Sequence, residues 1–415
     1  MILIILACIL AASFFSSPRH FPFVLVTYFV FYDMFDGFYK DDKMYAVIRY
    51  IIPVLFIFIY FIKYDLLKKI ESIFIIVIAY LLILWIFNPG DEIVTARNAL
   101  AVLITYLMIP IGKHVGETLN FIRELEKYNR LLLIAIPVYI IYANIANIGG
   151  FYSDSFSTGF LITSRMYIVP IVVFLAIHYA LTNKNKGWFI KCVDLTFILI
   201  NISMLLINTR RTTFGMLAAA IIIYTFFNRK LFFKMVMLVF LLASALVVSY
   251  PLYEARLTAQ LEKRARIQDV DTYEEEGRYL ETLYLIDYHR KKGDLRELLF
   301  GIQLFDTFDF GIRYFGRDRP IHSDINMLFF STGIVGLFLF FRLYTYYFLA
   351  KNFLVPKHLR QLYYPMLFMF LIVLIPGRFI ATLTYAPFLM LFLSTLKFSY
   401  AYRDTIEENS MVPAL

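Results

Sequence analysis

The sequence predicts an all-α polytopic membrane protein with about 12–13 transmembrane helices and one long, partly helical external loop. Of its 415 residues, 60% are hydrophobic and only 17% are charged, whereas soluble domains carry about 25% charged residues. Apolar runs close to the roughly 17 residues needed to cross a bilayer recur along the chain. Charged residues concentrate between residues 251 and 323. A bilayer core does not accommodate such a segment, so it must lie in water.

The apolar runs divide the chain into a transmembrane helix bundle (1–250), an external cap (251–323), and C-terminal transmembrane helices with a cytoplasmic tail (324–415). The first run has no preceding basic segment, so we expect a membrane helix rather than a cleaved signal peptide. Within the loop, 277–301 combines mixed charge with helical spacing, which favours a folded cap. The runs predicted to be membrane helices are 2–17, 21–35, 44–62, 72–88, 96–112, 131–148, 160–182, 188–208, 211–227, 231–250, 325–350, 362–376 and 379–398.

The short loops predict the orientation. Basic residues fall in every second loop, for example Lys63, Lys68 and Lys69 in one and Lys113 and Arg123 in the next on that side. Because lysine and arginine collect in cytoplasmic loops, these loops are expected in the cytoplasm and the long loop outside. The net charge of +9 is then a topology signal and not a sign of nucleic-acid binding. In a bacterium, an external long loop would lie in the periplasm.

Several arginines stand against this bias because they fall at external helix ends. They are Arg165, Arg210 and Arg211, with Arg97, Arg378 and Arg49 at comparable depth. A charge at the membrane boundary is costly unless it is paired, and the planar guanidinium matches phosphate oxygens two at a time. The pattern favours a site for a phosphate-bearing anion. The alternative is that each arginine reaches lipid headgroups or pairs with a neighbouring carboxylate.

One histidine is a candidate general base. His322 lies where the long loop returns to the membrane, beside Ser323 and Asp324. Its ring could accept a proton near neutral pH, with Asp324 or another carboxylate orienting it; the alternative is an ordinary surface histidine. A second candidate base group is formed by Asp33, Asp36, Asp41 and Asp42 in the first external loop, with a solvated loop as the alternative. The sequence contains no metal-binding spacing and no glycine-rich phosphate loop, so no metal or other cofactor is expected.

Four segments in a fixed order resemble the O-antigen polymerase and O-antigen ligase superfamily. The resemblance covers roughly 160–345 and implies an inverting, metal-independent glycosyltransferase. Such an enzyme uses glycans linked to undecaprenyl pyrophosphate, at the outer face of the inner membrane. The segments are TRRTTFGMLAAA at 209–220, GRYLETLYLIDY at 277–288, LLFG at 298–301 and IHSDINMLFFSTGIVGLFLFF at 321–341.

The family's functional residues match particular positions here. The resemblance implies that Arg278 and His322 are catalytic, and that Arg210 or Arg211 and, less closely, Arg165 bind the pyrophosphate. Asp324, Arg378 and Arg97 are possible supporting residues. The sequence departs from the family where Ser323 follows the histidine, since the family often has asparagine there.

The acceptor and the class of protein stay open at this point. A polymerase extends O-antigen, capsule or exopolysaccharide on another lipid-linked unit, with a chain-length regulator as a possible partner. A ligase transfers the glycan to lipid A–core. We favour the polymerase because no feature of the chain can be tied to a lipid A–core acceptor. A non-enzymatic transporter or flippase is the other alternative, although such proteins tend to carry charges near the midplane and related halves.

Overall fold

The computed structural model is helical, with one isolated bridge between Gly149 and Gly159 in its described part. The described residues confirm an all-α polytopic membrane protein. The side chains of Met44, Arg211 and Arg278 are not described, and Asp41, Asp42 and most of the predicted run 231–250 lie outside the described residues. The described ranges are 1–39, 44–149, 156–183, 186–208, 211–229, 277–316, 319–350, 355–375, 377–380 and 382–399, with scattered residues between 232 and 262.

The helices follow one another along the chain with short connections. Before the long loop they are α1 (Ile2–Ser16), α2 (Phe21–Phe35), α3 (Ile52–Lys63), α4 (Ser72–Phe87), α5 (Glu92–Thr118), α6 (Phe121–Ile145), α7 (Ile168–Thr182), α8 (Trp188–Ile207) and α9 (Arg211–Phe227). The loop contains α10 (Gly277–Lys292), α11 (Leu295–Phe300) and α12 (Phe308–Phe315), and α13 (Asp324–Tyr344), α14 (Arg360–Leu374) and α15 (Ala386–Lys397) follow it.

Among the described residues, six helical segments are long and apolar enough to cross a membrane. Three of them include short 3₁₀ or π turns, and shorter apolar helices such as α4 and α15 pack beside them. The six segments are Pro18–Phe38, Glu92–Thr118, Phe121–Ile145, Thr163–Thr182, Trp188–Ile207 and Asp324–Leu349.

Two helices begin earlier than the apolar runs predict, because each is capped by a polar side chain. The Asp91 carboxylate accepts hydrogen bonds from the first free backbone N–H groups of α5, which therefore begins at Glu92. Asn120 caps α6 in the same way, so α6 includes charged residues that hydropathy alone leaves out. Such caps stabilise a helix start by about 1 kcal/mol. The consequence for α5 is that Arg97 lies on its second turn.

A third predicted helix begins late. The run from 379 becomes helical only at Ala386, and the described residues between 375 and 385 form a non-helical connection between α14 and α15, called the 375–385 connection below. The sequence explains the interruption, since Pro376 and Gly377 follow the end of α14 and proline disfavours helix in the residue before it. Most of the described connection is nevertheless buried, including Phe379 and Tyr385. Irregular backbone at membrane depth persists only where protein or a polar cavity supplies partners.

The described part of the cap is fastened to the bundle. Asn88, in the turn before α5, donates its side-chain amide to the Gly301 carbonyl at 3.2 Å and accepts the N–H of Leu304 at 3.0 Å. The Thr95 hydroxyl on α5 donates to the Leu304 carbonyl at 3.0 Å. Because these are contacts to the cap backbone, they hold residues 301–304 in place.

Helix α13 is broken where it meets the cap. Gly333 has φ +64° and ψ −168°, a region that only glycine enters readily. The carbonyls freed on the preceding turn are used: Phe330 accepts from the N–H of Ile302 at 2.8 Å, and Thr332 accepts from the Tyr80 hydroxyl at 2.6 Å. A Cβ at Gly333 would lie 2.3 Å from the carbonyl oxygen of Leu299. The break therefore allows α11 to approach α13 closely.

Gly333→Ala is expected to loosen the cap. The substitution adds backbone strain of about 1–3 kcal/mol and a steric overlap with α11, so we expect a lower thermal unfolding temperature in detergent. We also expect faster proteolysis between residues 277 and 316. Gly215→Ala is the matched control, because a Cβ there meets no atom within 4 Å. Equal protease sensitivity of the two variants would show that the break does not hold the cap.

Candidate functional site

The carboxylate of Glu281 joins three groups at the entrance to α13. Its Oε1 lies 3.1 Å from the Nδ1 of His322 and 2.9 Å from an Nη of Arg319, and its Oε2 accepts the backbone N–H of His322 at 3.0 Å. The Glu281 side chain is fully buried, whereas that of His322 is 36% exposed. The buried carboxylate therefore fixes the ring and leaves Nε2 on its other edge. This is the arrangement expected of a histidine general base.

Helix α10 brings Glu281 to this position. Leu285, four residues later, is buried on the same helix face, and Thr282 exchanges hydrogen bonds with Asn326 on α13 at 2.9 and 3.2 Å. Residues three and four apart share a face of an α-helix. Position 278 therefore lies on the face of α10 that carries Glu281, one turn nearer its start.

Asp324 does not orient His322, the role that the sequence analysis considered for it, but supports the site through the backbone. Its carboxylate accepts the backbone N–H groups of Phe379 and Ile380 at 2.7 and 3.1 Å, and Glu281, not Asp324, orients the histidine. The buried carboxylate supplies the partners that the 375–385 connection needs. Since Asp324 is two residues after His322, it also holds the backbone next to Arg378 close to the histidine.

Arg378 and Arg97 are cations without acidic partners in the described part of the chain. Neither guanidinium forms an ion pair or a hydrogen bond there; Arg378 is half-buried and Arg97 is exposed. The charges of Asp324, Arg97 and Glu281 all act on the guanidinium of Arg378, so these four charges share one neighbourhood. Two neighbouring cations without a carboxylate partner form a suitable site for an anion.

Arg165 lies in a different environment. It is on the 3₁₀ turn Thr163–Tyr167, not one turn into a helix from 160. Its guanidinium lies 2.7 Å from Asp36 and 3.6 Å from Asp33, and Arg49 lies 2.5 Å from Asp33 and 3.3 Å from Asp36. Arg165 is therefore an ion-paired arginine, which is the alternative to phosphate binding given in the sequence analysis. Asp33 and Asp36 are correspondingly ion-paired residues, with Asp33 1% exposed, and do not form a solvated loop.

This four-charge network also holds the 375–385 connection. Asp33 accepts a hydrogen bond from the Thr384 hydroxyl. Ser164, next to Arg165, shares a hydrogen bond of 3.0 Å with Thr382, whose hydroxyl also lies 2.6 Å from the Arg378 carbonyl. The segment that carries Arg378 is therefore fixed from α2, from the turn before α7 and from Asp324.

A double-mutant cycle tests whether Arg165 is a paired residue. Arg165→Ala and Asp36→Ala should each destabilise the protein, and the double variant should lose less than the sum, with a coupling free energy of about 1–3 kcal/mol. The exposed pair Lys68–Asp65 at 2.6 Å is the control, for which we expect coupling below about 1 kcal/mol. The measurement is thermal or denaturant unfolding in detergent. Additive effects of the Arg165 and Asp36 substitutions would contradict the assignment.

Three predicted residues lie partly or wholly outside the described residues. Arg210 is not described, and neither are the side chains of Arg211 and Arg278. The backbone of α9 is informative, because Phe227 near its end stacks on Tyr364 near the start of α14, with ring centroids 4.8 Å apart. Since the end of α9 meets the start of α14, the two helices run in opposite directions. At about 1.5 Å per residue, the first residue of α9 then lies level with the 375–385 connection that follows α14.

Two residues of the site were missed from the sequence. Glu281 is an acidic residue in a segment with helical spacing, one turn after Arg278, and this position on a buried face was a usable signal. Arg319 had no such signal. Its guanidinium lies over the Phe315 ring at 4.2 Å and beside Glu281, contacts that depend on how the cap folds.

No protein-family model, curated protein or solved structure matches the chain. In the described part of the chain, no group of three or more His, Cys, Asp or Glu side chains could hold a metal ion. Because a helical membrane fold is compatible with many activities, function has to be argued from the chemistry of the site.

Proposed function

We propose that this protein is a membrane glycosyltransferase that joins lipid-linked oligosaccharide units, with the polymerase as the first candidate and the ligase as the second. The observation that carries the proposal is the Glu281–His322 pair beside the unpartnered Arg378 and Arg97. A proton acceptor next to an anion site suits the transfer of a group from a phosphate leaving group to a hydroxyl. The sequence resemblance to lipid-linked glycan transferases supports the same chemistry.

In the proposed reaction, His322 takes a proton from the acceptor sugar while the pyrophosphate lipid leaves the donor. A hydroxyl of the acceptor sugar attacks the anomeric carbon of the donor glycan, and its proton passes to Nε2 of His322. The bond between that carbon and the pyrophosphate oxygen breaks, and the pyrophosphate lipid leaves with the bonding electrons. Inversion at the anomeric carbon follows from attack opposite the leaving group. Glu281 stabilises the imidazolium that forms.

The arginines act on the leaving group. Arg378 and Arg97 would neutralise the charge that grows on the pyrophosphate as the bond breaks, and cations placed in advance are often the largest catalytic contribution. A leaving group stabilised in this way needs no proton donor. Arg278 and Arg210 or Arg211 stay predicted members of the group. Arg165 is left out because Asp36 and Asp33 already neutralise it.

The cap has a further part in this proposal. Its attachment through Asn88 and Thr95 holds residues 301–304 against the bundle, and Thr282 on α10 is hydrogen-bonded to Asn326 on α13, so Glu281 has a fixed place beside the membrane helices. Holding donor and acceptor in one orientation lowers the entropic barrier to reaction. Excluding water prevents hydrolysis of the donor.

The decisive experiment supplies purified protein with undecaprenyl-pyrophosphate-linked repeat units and measures glycan length. A polymerase makes longer lipid-linked glycans from these units alone, whereas a ligase transfers glycan only when lipid A–core is added. In cells, loss of a polymerase leaves single repeats on the surface, and loss of a ligase leaves polymer on the lipid carrier. The proposal fails if purified protein joins no glycans under either condition and moves lipid-linked units across vesicle membranes instead.

A further inference from the structure

A separate apolar groove lies between α3, α4 and α5. It encloses about 290 Å³ and is lined only by hydrophobic side chains, including Phe61, Ile78, Ala79 and Leu107. Other lining side chains are exposed on the outside of the bundle, such as Ile75 at 56%. The groove therefore opens sideways towards the bilayer, and its lining suits a hydrocarbon chain.

One end of the groove is basic. Leu67 and Ile70 line it, and Lys69 stands between them in the chain, a few residues after Lys63 at the end of α3. Arg19 lies at the same end, because Phe21, two residues later, packs against Tyr60 near the end of α3 with ring centroids 5.7 Å apart. Among the described residues, the cations of this end are Arg19, Lys63, Lys68, Lys69 and Lys113, and the carboxylates are Asp65, Glu71, Glu117 and Glu124, the last 3.6 Å from His20.

The carboxylates only partly offset these cations. Lys68–Asp65, Lys69–Glu117 and Lys113–Glu71 form pairs at 2.6, 3.4 and 2.9 Å. Pairs at a solvated surface are weak, and a stronger anion can replace one partner. Lys63 and Arg19 form no ion pair with any described residue. A net positive charge therefore remains where the apolar groove ends.

We propose that the groove binds one acyl chain of an anionic phospholipid, with the lipid phosphate beside Lys63 and Lys69. Basic residues next to grooves between transmembrane helices recognise anionic headgroups in this way. By the loop charges this end faces the cytoplasm, where the substrate pyrophosphate is not expected. Arg97 and Lys113 lie at opposite ends of α5, separated by about 24 Å of helix. The lipid site is therefore distinct from the site at His322.

Native mass spectrometry of the detergent-purified protein tests the proposal. With equal amounts of phosphatidylglycerol and phosphatidylcholine of identical acyl chains, the wild type should retain phosphatidylglycerol preferentially. Replacing Lys63 and Lys69 together with glutamine should weaken that preference about 30-fold, as expected for two headgroup lysines. Lys357→Gln, an exposed lysine on another loop of the same side, should leave it unchanged.

A second variant fills the groove itself. Ala79→Phe should abolish retention of the lipid, whereas Ala218→Phe, the same change at an exposed position of α9, should not. Both should unfold at the wild-type temperature. Equal retention of the two phospholipids by the wild type, or unchanged retention in Ala79→Phe, would overturn the proposal. So would displacement of the retained phosphatidylglycerol from the wild type by an equal amount of undecaprenyl phosphate, because the groove would then belong to a substrate tail.

Discussion

Replacing His322 with alanine should lower glycan transfer by about 10²–10⁴-fold, the usual contribution of a positioned general base. The level of protein in the membrane should not change, because the ring is about one-third exposed and makes one side-chain hydrogen bond to the described residues, with Glu281. The assay is polymer formation from lipid-linked repeat units by purified protein. Surface glycan length in cells is the second readout.

Two further variants test whether the loss of glycan transfer depends on the Glu281–His322 pair. Glu281→Gln keeps the size of the side chain but removes the charge that stabilises the imidazolium, so transfer by this variant should also fall below that of the wild type. Combining it with His322→Ala should add little, because residues that act as a unit are not additive. His289→Ala is the matched control, since this half-buried cap histidine packs against Phe329. Transfer by His322→Ala within about twofold of the wild type would exclude the proposed base.

The sequence predicted the fold class because the bilayer sets a simple rule. Long apolar runs must be helical when no water can satisfy the backbone, so α2 and α9 begin and end where their runs do. The rule fails between 379 and 385, where the described residues of an apolar run are not helical. The N–H groups of Phe379 and Ile380 donate to Asp324, a residue more than fifty positions earlier. Hydropathy contains no information about such a distant partner.

Part of the candidate site could also be predicted, because the sequence shows where charged residues fall relative to the apolar runs. His322 was found from its position at the return to the membrane, and Arg378 and Arg97 from charge at external helix ends. Charge and depth alone did not separate these arginines from Arg165. The difference lies in the partners, because Asp33 and Asp36 meet Arg165 only after α2 packs near the turn before α7. Glu281 was missed because its contact with His322 spans 41 residues.

Arg378→Ala should lower transfer by about 10²–10³-fold, the cost of removing one group that stabilises transition-state charge. Arg378→Lys should stay impaired, since an ammonium cannot match two phosphate oxygens with a planar fork. The measurement is the same polymerisation assay, with donor concentration varied to separate binding from catalysis.

The same substitution should leave stability unchanged or raise it. Arg378 has no ion pair in the described part of the chain, so its removal leaves no ion-paired carboxylate without its cation, and the removed burial cost of the guanidinium charge offsets the lost attraction of Asp324. Arg165→Ala should do the opposite, lowering stability because Asp36 and Asp33 lose a partner. Groups placed for a ligand commonly cost stability in its absence. A loss of stability in Arg378→Ala equal to that in Arg165→Ala would assign both arginines to structure and remove the anion site from the proposal.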